Sequence, residues 1–190
     1  MSSTNRGRAR VSYDDYPTPA WCVRRLVEAV DLPDGRWVEP CAGHGSIISA
    51  IDRRVDWTAV EIRPECREPL ELLASQAYIR DFRNASLGTD YDVCITNPPY
   101  NLAMEAVLWG TRAARITVML LRLNFLGSAK RSDFMAHVAP DVYVLPNRPS
   151  FTGKGTDSIE YAWFVWRRAT LLRRCGKIQV LAATPRSERM

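Results

Sequence analysis

Four consecutive residues, Asn97-Pro98-Pro99-Tyr100, have the composition of a clamp for a planar amine. The Asn97 side chain offers a carbonyl oxygen. Pro98 lacks an N–H, and its ring fixes φ, so its backbone carbonyl has a defined direction. These two acceptors match the two N–H bonds of an exocyclic amino group, and Tyr100 adds an aromatic face on which a base can stack. Because Asn and Pro are also common in turns, a plain turn after a strand is the alternative interpretation.

A second motif, Glu39-Pro40-Cys41-Ala42-Gly43-His44-Gly45, follows the first predicted strand. Its two glycines permit a tight turn and a close approach of the backbone to a ligand. The motif is shorter than the dinucleotide fingerprint GxGxxG and has no third glycine, which argues against NAD.

Two further acidic residues stand where later strands are predicted to end. Glu61 ends the second predicted strand, where a carboxylate can accept the hydroxyls of a ribose. Asp81-Phe82 ends the third and pairs an acceptor with an apolar ring, which suits an adenine. Together with the glycine turn, these residues predict a pocket for an adenosine-bearing cofactor beside the amine clamp.

These motifs require an alternation of strands and helices to position them. Apolar periodicity predicts helices over residues 19–30, 46–53, 64–74, 102–114 and 128–138, and strands over 37–39, 57–62, 77–81, 91–96, 116–123, 142–145 and 161–167. Such alternation favours a mostly parallel sheet covered by helices on both faces, with ligands bound beyond the carboxyl ends of the strands. The last two strands lack a full crossover helix between them, so we expect an antiparallel hairpin there.

The chain has 190 residues and is expected to form one domain, residues 16–170, between a flexible basic arm (1–15) and a basic C-terminal extension (171–190). Its net charge of +5 includes basic groups at both ends, which fit either a polyanionic partner or a solvated surface. The five scattered cysteines form no CxxC pair, which argues against a metal site and favours free thiols in a reducing cytoplasm. We see neither a membrane span nor a secretory signal.

The motif order resembles that of the S-adenosylmethionine-dependent amino-methyltransferases that act on adenine N6 or cytosine N4 of DNA. The segment Tyr16-Pro17-Thr18-Pro19 ahead of the glycine turn is similar to that of the gamma class, and residues 146–166 look like the corresponding end of small phage and prophage adenine methyltransferases. The resemblance covers about residues 13–167. It implies a Rossmann-like class I methyltransferase fold: a seven-stranded, mostly parallel sheet with helices on both faces and a terminal antiparallel hairpin.

The resemblance also implies residue roles. Glu39 and the Gly43 backbone would contact the methionine part of S-adenosyl-L-methionine, Glu61 its ribose, and Ile62, Asp81 and Phe82 its adenine. The full set implied for cofactor binding is Tyr16, Thr18, Pro19, Glu39, Pro40, Ala42, Gly43, Gly45, Glu61, Ile62, Asp81, Phe82 and Asn97. The residues implied for catalysis are Asn97, Pro98, Pro99 and Tyr100.

The implied activity is that of an adenine-specific, site-specific DNA methyltransferase, with S-adenosyl-L-homocysteine as the second product. The target base would be flipped out of the duplex and stacked on Tyr100. Phe151 is a candidate for its other face or, equally, a core aromatic residue. Arg148 and Lys154 belong to a loop that either contacts phosphates or is merely solvated. Likeness to phage enzymes implies a bacterial or infected-host cytoplasm and a role in restriction-modification.

Three alternatives remain open from the sequence. The Asn-Pro-Pro-Tyr motif also occurs in enzymes that methylate adenine or guanine of RNA, and in enzymes that methylate a glutamine amide, which presents the same two donors. The latter carry an additional N-terminal helical domain, which we do not find. A catalytically silent binding protein on the same scaffold is the third alternative, although the glycines, Glu61 and the clamp are intact.

Overall fold

The computed structural model describes residues 16–151, 155, 157–170, 172 and 174–189. Its strands are Arg36–Glu39 (β1), Asp56–Glu61 (β2), Gln76–Ile79 (β3), Tyr91–Thr96 (β4), Ala114–Arg122 (β5), Asp141–Val144 (β6), Tyr161–Arg167 (β7) and Ile178–Val180 (β8). Its α-helices are Ala20–Ala29 (α1), Ser46–Ala50 (α2), Arg67–Leu73 (α3), Ala103–Ala113 (α4) and Ser132–His137 (α5). The predicted alternation of strands and helices is therefore confirmed.

The strands form one mixed sheet in the order β3-β2-β1-β4-β5-β7-β6-β8. Strands β1 to β5 pair in parallel, while β7 runs antiparallel to both β5 and β6. This arrangement confirms the mostly parallel sheet and the terminal antiparallel pair. The order reverses between β1 and β4, so the carboxyl ends of these neighbours diverge into loops that lead in opposite directions. A crevice between such loops is the usual ligand site of an open α/β sheet.

Alternating side chains of the strands supply two apolar cores, one on each face of the sheet. Trp37 and Val93 face the core that also contains residues of α1, α2 and α3. Their neighbours Val38 and Cys94 face the second core, with residues of α4. Most residues of β1, β2, β4 and β5 are buried, which explains why these strands read as largely apolar runs in the sequence, whereas none of the residues of β3 is buried.

The prediction of seven strands was wrong, because residues 178–180 add an eighth. This short strand pairs in parallel with β6 at the edge of the sheet. Gly176 permits the approach, since a Cβ there would lie 1.7 Å from the carbonyl oxygen of Pro140. The segment that follows is also packed on the domain: Leu181 and Thr184 are buried, and Arg25 of α1 donates to the Thr184 hydroxyl (3.0 Å). Residues 178–184 thus pack against the sheet edge and α1.

Two predicted helices are shorter than expected. The helix predicted over residues 46–53 ends at Ala50, and the helix predicted over 128–138 begins only at Ser132, after a 3₁₀ turn. In the part of the chain that the structure describes, no helix is both long and apolar enough to cross a membrane.

Candidate functional site

A cavity of about 610 Å³ opens at the carboxyl ends of β1, β2 and β4, where the strand order reverses. The predicted site residues that line it are Tyr16, Thr18, Glu39, Pro40, Ala42, Gly43, Glu61, Ile62, Asp81, Phe82, Asn97, Pro99 and Tyr100. The glycine turn and the amine clamp therefore face the same space. Pro19, Gly45 and Pro98 are not among its lining residues.

The glycine turn leaves β1 and leads into α2. Gly43 and Gly45 have φ values of +54° and +81°, in the left-handed region that favours glycine. A Cβ on Gly45 would lie 2.5 Å from Cδ1 of Leu73, so α3 packs directly against this turn. Gly45 thus has a structural role beneath the cavity, whereas Gly43 lies on its wall.

Glu39 is a buried carboxylate on the cavity wall, with 2% of its surface exposed. Its Oε2 atom has no hydrogen-bond partner among the described residues. Burial, and secondarily the carboxylate of Glu61, raise the pKa of Glu39 well above its ordinary value. A buried acceptor without a partner is costly unless a ligand supplies a donor, so this atom is suited to a cationic or N–H group bound in the cavity.

Glu61 connects the end of β2 to the glycine turn. Its Oε2 accepts the N–H of Gly43 (2.7 Å). Its Oε1 accepts the backbone N–H of Ile62 (2.9 Å) and the backbone and Nε of Arg63 (3.0 and 3.1 Å). The carboxylate is therefore held in place by the protein, and a second lone pair of Oε2 remains to accept a ligand hydroxyl.

The far end of the cavity combines apolar and ionic groups. Ile62 is 45% exposed and Phe82 is buried, with its ring edge-on to Trp109 at 6.2 Å. Asp81 accepts the backbone N–H of Arg83 (2.9 Å) and forms an ion pair with its guanidinium. These bonds lower the pKa of Asp81 and keep it ionised, and they use part of the capacity of its oxygens to accept hydrogen bonds.

The amine clamp follows β4 directly. The Nδ2 of Asn97 donates to the backbone carbonyl of Tyr16 (3.3 Å), which leaves Oδ1 as the amide atom available to a ligand. Pro98 is buried beneath the turn, while Pro99 and Tyr100 are partly exposed on the cavity wall. The segment 16–18 thus lies across the opening and fixes the orientation of the Asn97 amide.

The Tyr100 ring already has partners. Arg122, at the end of β5, places its guanidinium 4.0 Å from the ring centroid. Tyr16 lies 6.4 Å away with a nearly parallel ring (28° between planes). Arg122 was not singled out from the sequence; the signal was an arginine at the very end of a nine-residue strand whose other residues are nearly all buried.

Two of the predicted nucleic-acid contacts, Arg148 and Phe151, do not line the cavity. Phe151 is buried in the core, edge-on to Tyr16 (5.9 Å) and Tyr161 (5.1 Å), so it is a core aromatic residue and does not offer a stacking face. Arg148 forms an ion pair with Glu160. Lys154 lies outside the described residues.

No group of three or more His, Cys, Asp or Glu side chains arranged to hold a metal ion occurs in the described part of the chain. The cysteines of the described residues are free thiols, as the sequence predicted.

No protein-family model and no curated protein matches this chain. Its fold is similar to that of many solved structures. The 23S rRNA methyltransferase ErmE is 18% identical, with a TM-score of 0.59 over 80% of this chain and 68% of that one. A Listeria monocytogenes protein assigned as a class I S-adenosylmethionine-dependent methyltransferase is 11% identical, with a TM-score of 0.59 over 88% of this chain and 64% of that one.

A third similar structure is a modification subunit assigned to a type I restriction enzyme of Vibrio vulnificus. It is 15% identical, with a TM-score of 0.58 over 86% of this chain and 45% of that one. This chain thus spans about half to two thirds of the length of these proteins. At such identities the likeness concerns the fold, and this chain has the Rossmann-like class I methyltransferase fold.

Proposed function

We propose that this chain is an S-adenosylmethionine-dependent methyltransferase that methylates the exocyclic N6 of adenine in DNA. The observation that carries the proposal is the shared cavity: the Glu39 end and the Asn97 clamp line one space at the reversal of strand order. A group-transfer enzyme needs its donor and acceptor in contact, and such a cavity allows this. The similar structures include an rRNA methyltransferase and a modification subunit assigned to a type I restriction enzyme.

The cofactor half of the cavity fits S-adenosyl-L-methionine. Glu39 would accept from the ammonium of the methionine part, which gives its buried Oε2 the donor it lacks. Glu61 would accept a ribose hydroxyl on its remaining lone pair, and Ile62 and Phe82 would pack on the adenine. When bound, this cofactor supplies a methyl group made electrophilic by its sulfonium and leaves as S-adenosyl-L-homocysteine.

The clamp would orient the target amine rather than deprotonate it. Asn97 is neutral and cannot act as a general base. Its Oδ1 would accept one N–H bond of the amino group, and the resemblance assigns the other to the carbonyl of Pro98, a residue that does not line the cavity in this structure. Two such acceptors would favour a tetrahedral nitrogen and direct its lone pair towards the methyl group. Rate enhancement then comes from positioning and fixed dipoles, and the proton leaves to water.

A base in a DNA duplex is out of reach of this cavity, so the target adenine would be flipped out. Tyr100 would supply the stacking face. Because Arg122 and Tyr16 both contact Tyr100 in the described structure, one of them must move aside to admit the base.

RNA is the main alternative substrate, favoured by the likeness to ErmE, which acts on 23S rRNA. DNA is preferred here because the motif order resembles the gamma class of DNA amino-methyltransferases. The resemblance of residues 146–166 to phage and prophage adenine methyltransferases supports a role in the cytoplasm of a bacterium or an infected host, where methylation would protect DNA from restriction.

One experiment separates these substrates. The protein is incubated with cofactor carrying a labelled methyl group and, in separate reactions, with duplex DNA, single-stranded DNA, total RNA or bacterial protein extract. Nucleic acids are digested to nucleosides and the products are identified by mass. N6-methyldeoxyadenosine from duplex DNA is the expected product. Label only in RNA or protein would contradict the proposal, and cofactor binding without any transfer would favour the silent scaffold.

A further inference from the structure

A second recess, of about 320 Å³, adjoins the first cavity, because Tyr100 and Arg122 line both. Its remaining walls come from the start of α4, the end of β5 and the segment that follows β5. The residues contributed by that segment are Asn124, Phe125, Gly127, Ser128 and Arg131. None of the amine-clamp residues except Tyr100 lines this recess, so the recess lies beside the proposed position of the target base.

The recess carries positive charge without a balancing carboxylate. Arg122 and Arg131 line it, and none of its lining residues is acidic. Within the described residues, neither arginine forms an ion pair with a carboxylate. In the part of the chain that the structure describes, Arg122 is linked to a carboxylate only through a tyrosine. Its Nε donates to the Tyr161 hydroxyl (3.3 Å), which in turn donates to Asp157 (2.7 Å).

Both guanidinium groups are held in fixed positions. Arg131 donates from Nε to the carbonyl of Phe125 (2.9 Å) and from an Nη to that of Asn124 (3.3 Å), and it lies 4.4 Å from the centroid of the Phe125 ring. A guanidinium has five N–H bonds, so three of those of Arg131 remain for a ligand. Arg122 is similarly fixed by Tyr161 and by the Tyr100 ring. Planar donors placed in advance in this way suit the oxygens of a phosphate.

We propose that this recess binds a backbone phosphate of the DNA strand that carries the target base. Arg131 and Arg122 provide the charged contacts, and the Asn124 and Ser128 side chains provide polar ones. The inference rests on the proposed function, because it takes the neighbouring clamp to hold a base. Phosphate contacts set the register of a protein on its nucleic acid, so a phosphate beside Tyr100 would align the flipped nucleotide with the clamp.

The test measures the salt dependence of DNA binding by the full-length protein. A fluorescein-labelled mixed-sequence duplex is titrated between about 50 and 200 mM NaCl, and the logarithm of the affinity is plotted against that of the salt concentration. Arg131→Gln should reduce the magnitude of the slope by about 0.9, the amount for one phosphate contact, and weaken binding severalfold at low salt. Lys130→Gln is the matched control: it removes one charge from the next residue, which is exposed and outside the recess.

Arg131→Gln also removes the hydrogen bonds to the carbonyls of Phe125 and Asn124, and their loss alone could weaken DNA binding. A second variant tests for this. Asn124→Asp leaves Arg131 in place and adds a negative charge to the recess, so it should also weaken binding severalfold. The inference would be overturned if the slope for Arg131→Gln equalled that of the wild type, or if Lys130→Gln reduced the slope as much as Arg131→Gln does. So would absence of duplex binding by the wild type, or an effect seen with an RNA duplex alone.

Methyl transfer is measured separately, so the two proposals can fail independently. Transfer to DNA adenine with an unchanged slope for Arg131→Gln would remove the phosphate site and keep the proposed function. A reduced slope without any transfer would keep the phosphate site and remove the proposed function.

Discussion

The amide of Asn97 is oriented before any ligand binds. Its Nδ2 donates to the backbone carbonyl of Tyr16 (3.3 Å), so the amide presents Oδ1 to the cavity. An acceptor whose position is fixed in advance costs little reorganisation when the reaction occurs, which is where positioned dipoles gain most of their effect.

Asn97→Ala should therefore reduce methyl transfer by roughly 100-fold or more, the scale seen when one positioned polar group is lost from a reacting site. Cofactor binding should change little, because Glu39, Gly43 and Glu61 remain. Transfer is followed with labelled cofactor and binding by calorimetry. Asn84→Ala, at an exposed position outside the cavity, is the control. If Asn97→Ala lost cofactor binding instead, the clamp would have been assigned to the wrong ligand.

Glu39 should make the stability of the cofactor-free protein depend on pH. Burial raises its pKa well above the ordinary value of 4.5, so the native state retains a proton that the unfolded state releases. The associated stability is fully present below about pH 4.5 and is lost as the pH rises through the native pKa. Relative to Glu39→Gln, the wild type should thus lose stability with rising pH, by at most about 1.4 kcal/mol per pH unit for one proton.

Thermal unfolding of both proteins over a pH series measures this difference. The exposed Glu65→Gln supplies the control for loss of a carboxylate from the same half of the molecule. Parallel curves for the wild type and Glu39→Gln would mean that Glu39 titrates normally. Because an ionised Glu39 is the better partner for an ammonium group, cofactor affinity of the wild type should increase over the same rise in pH.

At the scale of the elements, the glycine turn is joined to α3 as well as to β1. Gly45 is the N-cap residue of α2 and has a φ of +81°, and a Cβ at this position would meet the Leu73 side chain of α3. Gly88, with φ of +86°, has the same backbone conformation but no atom within 4 Å of where a Cβ would stand. The two positions therefore separate backbone strain from displacement of a neighbouring helix.

Both Gly45→Ala and Gly88→Ala should lower the free energy of unfolding by about 1–2 kcal/mol, the cost of a left-handed conformation for a residue with a Cβ. Only Gly45→Ala should also weaken cofactor binding. The added Cβ would displace the Leu73 side chain and disturb the turn that contains Gly43, whose N–H donates to Glu61. Urea unfolding and calorimetry provide the two measurements. Equal cofactor affinities in the two variants would show that the turn tolerates movement of α3.

At the scale of the whole molecule, the parallel half of the sheet could be predicted almost fully from sequence. Buried apolar side chains fill the middle of β2, β4 and β5, and β4 has the predicted bounds of 91 and 96. Strand β8 was missed because it has only three residues, two of them exposed, and its position depends on the close approach of Gly176 to Pro140. Such edge pairing is determined by tertiary contacts that a sequence pattern does not contain.

The same distinction applies to the site. Residues at the ends of the strands, such as Glu39, Glu61 and Asn97, were predicted to share a cavity and do so, because parallel strands bring their carboxyl ends together. The partners of individual side chains could not be predicted. Arg83 pairs with Asp81, Arg122 covers Tyr100, and Phe151 turns inwards, and each of these contacts depends on the path of a loop.

The C-terminal segment should contribute to the stability of the domain rather than act as a separate tail. Leu181 is 6% exposed in the same core as α1, and its N–H donates to the carbonyl of Val144 (2.9 Å). Leu181→Ala should lower the free energy of unfolding by about 2–3 kcal/mol, as for other buried leucines. Val180→Ala, at the neighbouring residue that is 65% exposed, should cost within about 0.5 kcal/mol. Urea unfolding measures both, and equal small losses would mean that residues 178–184 detach readily from the sheet edge.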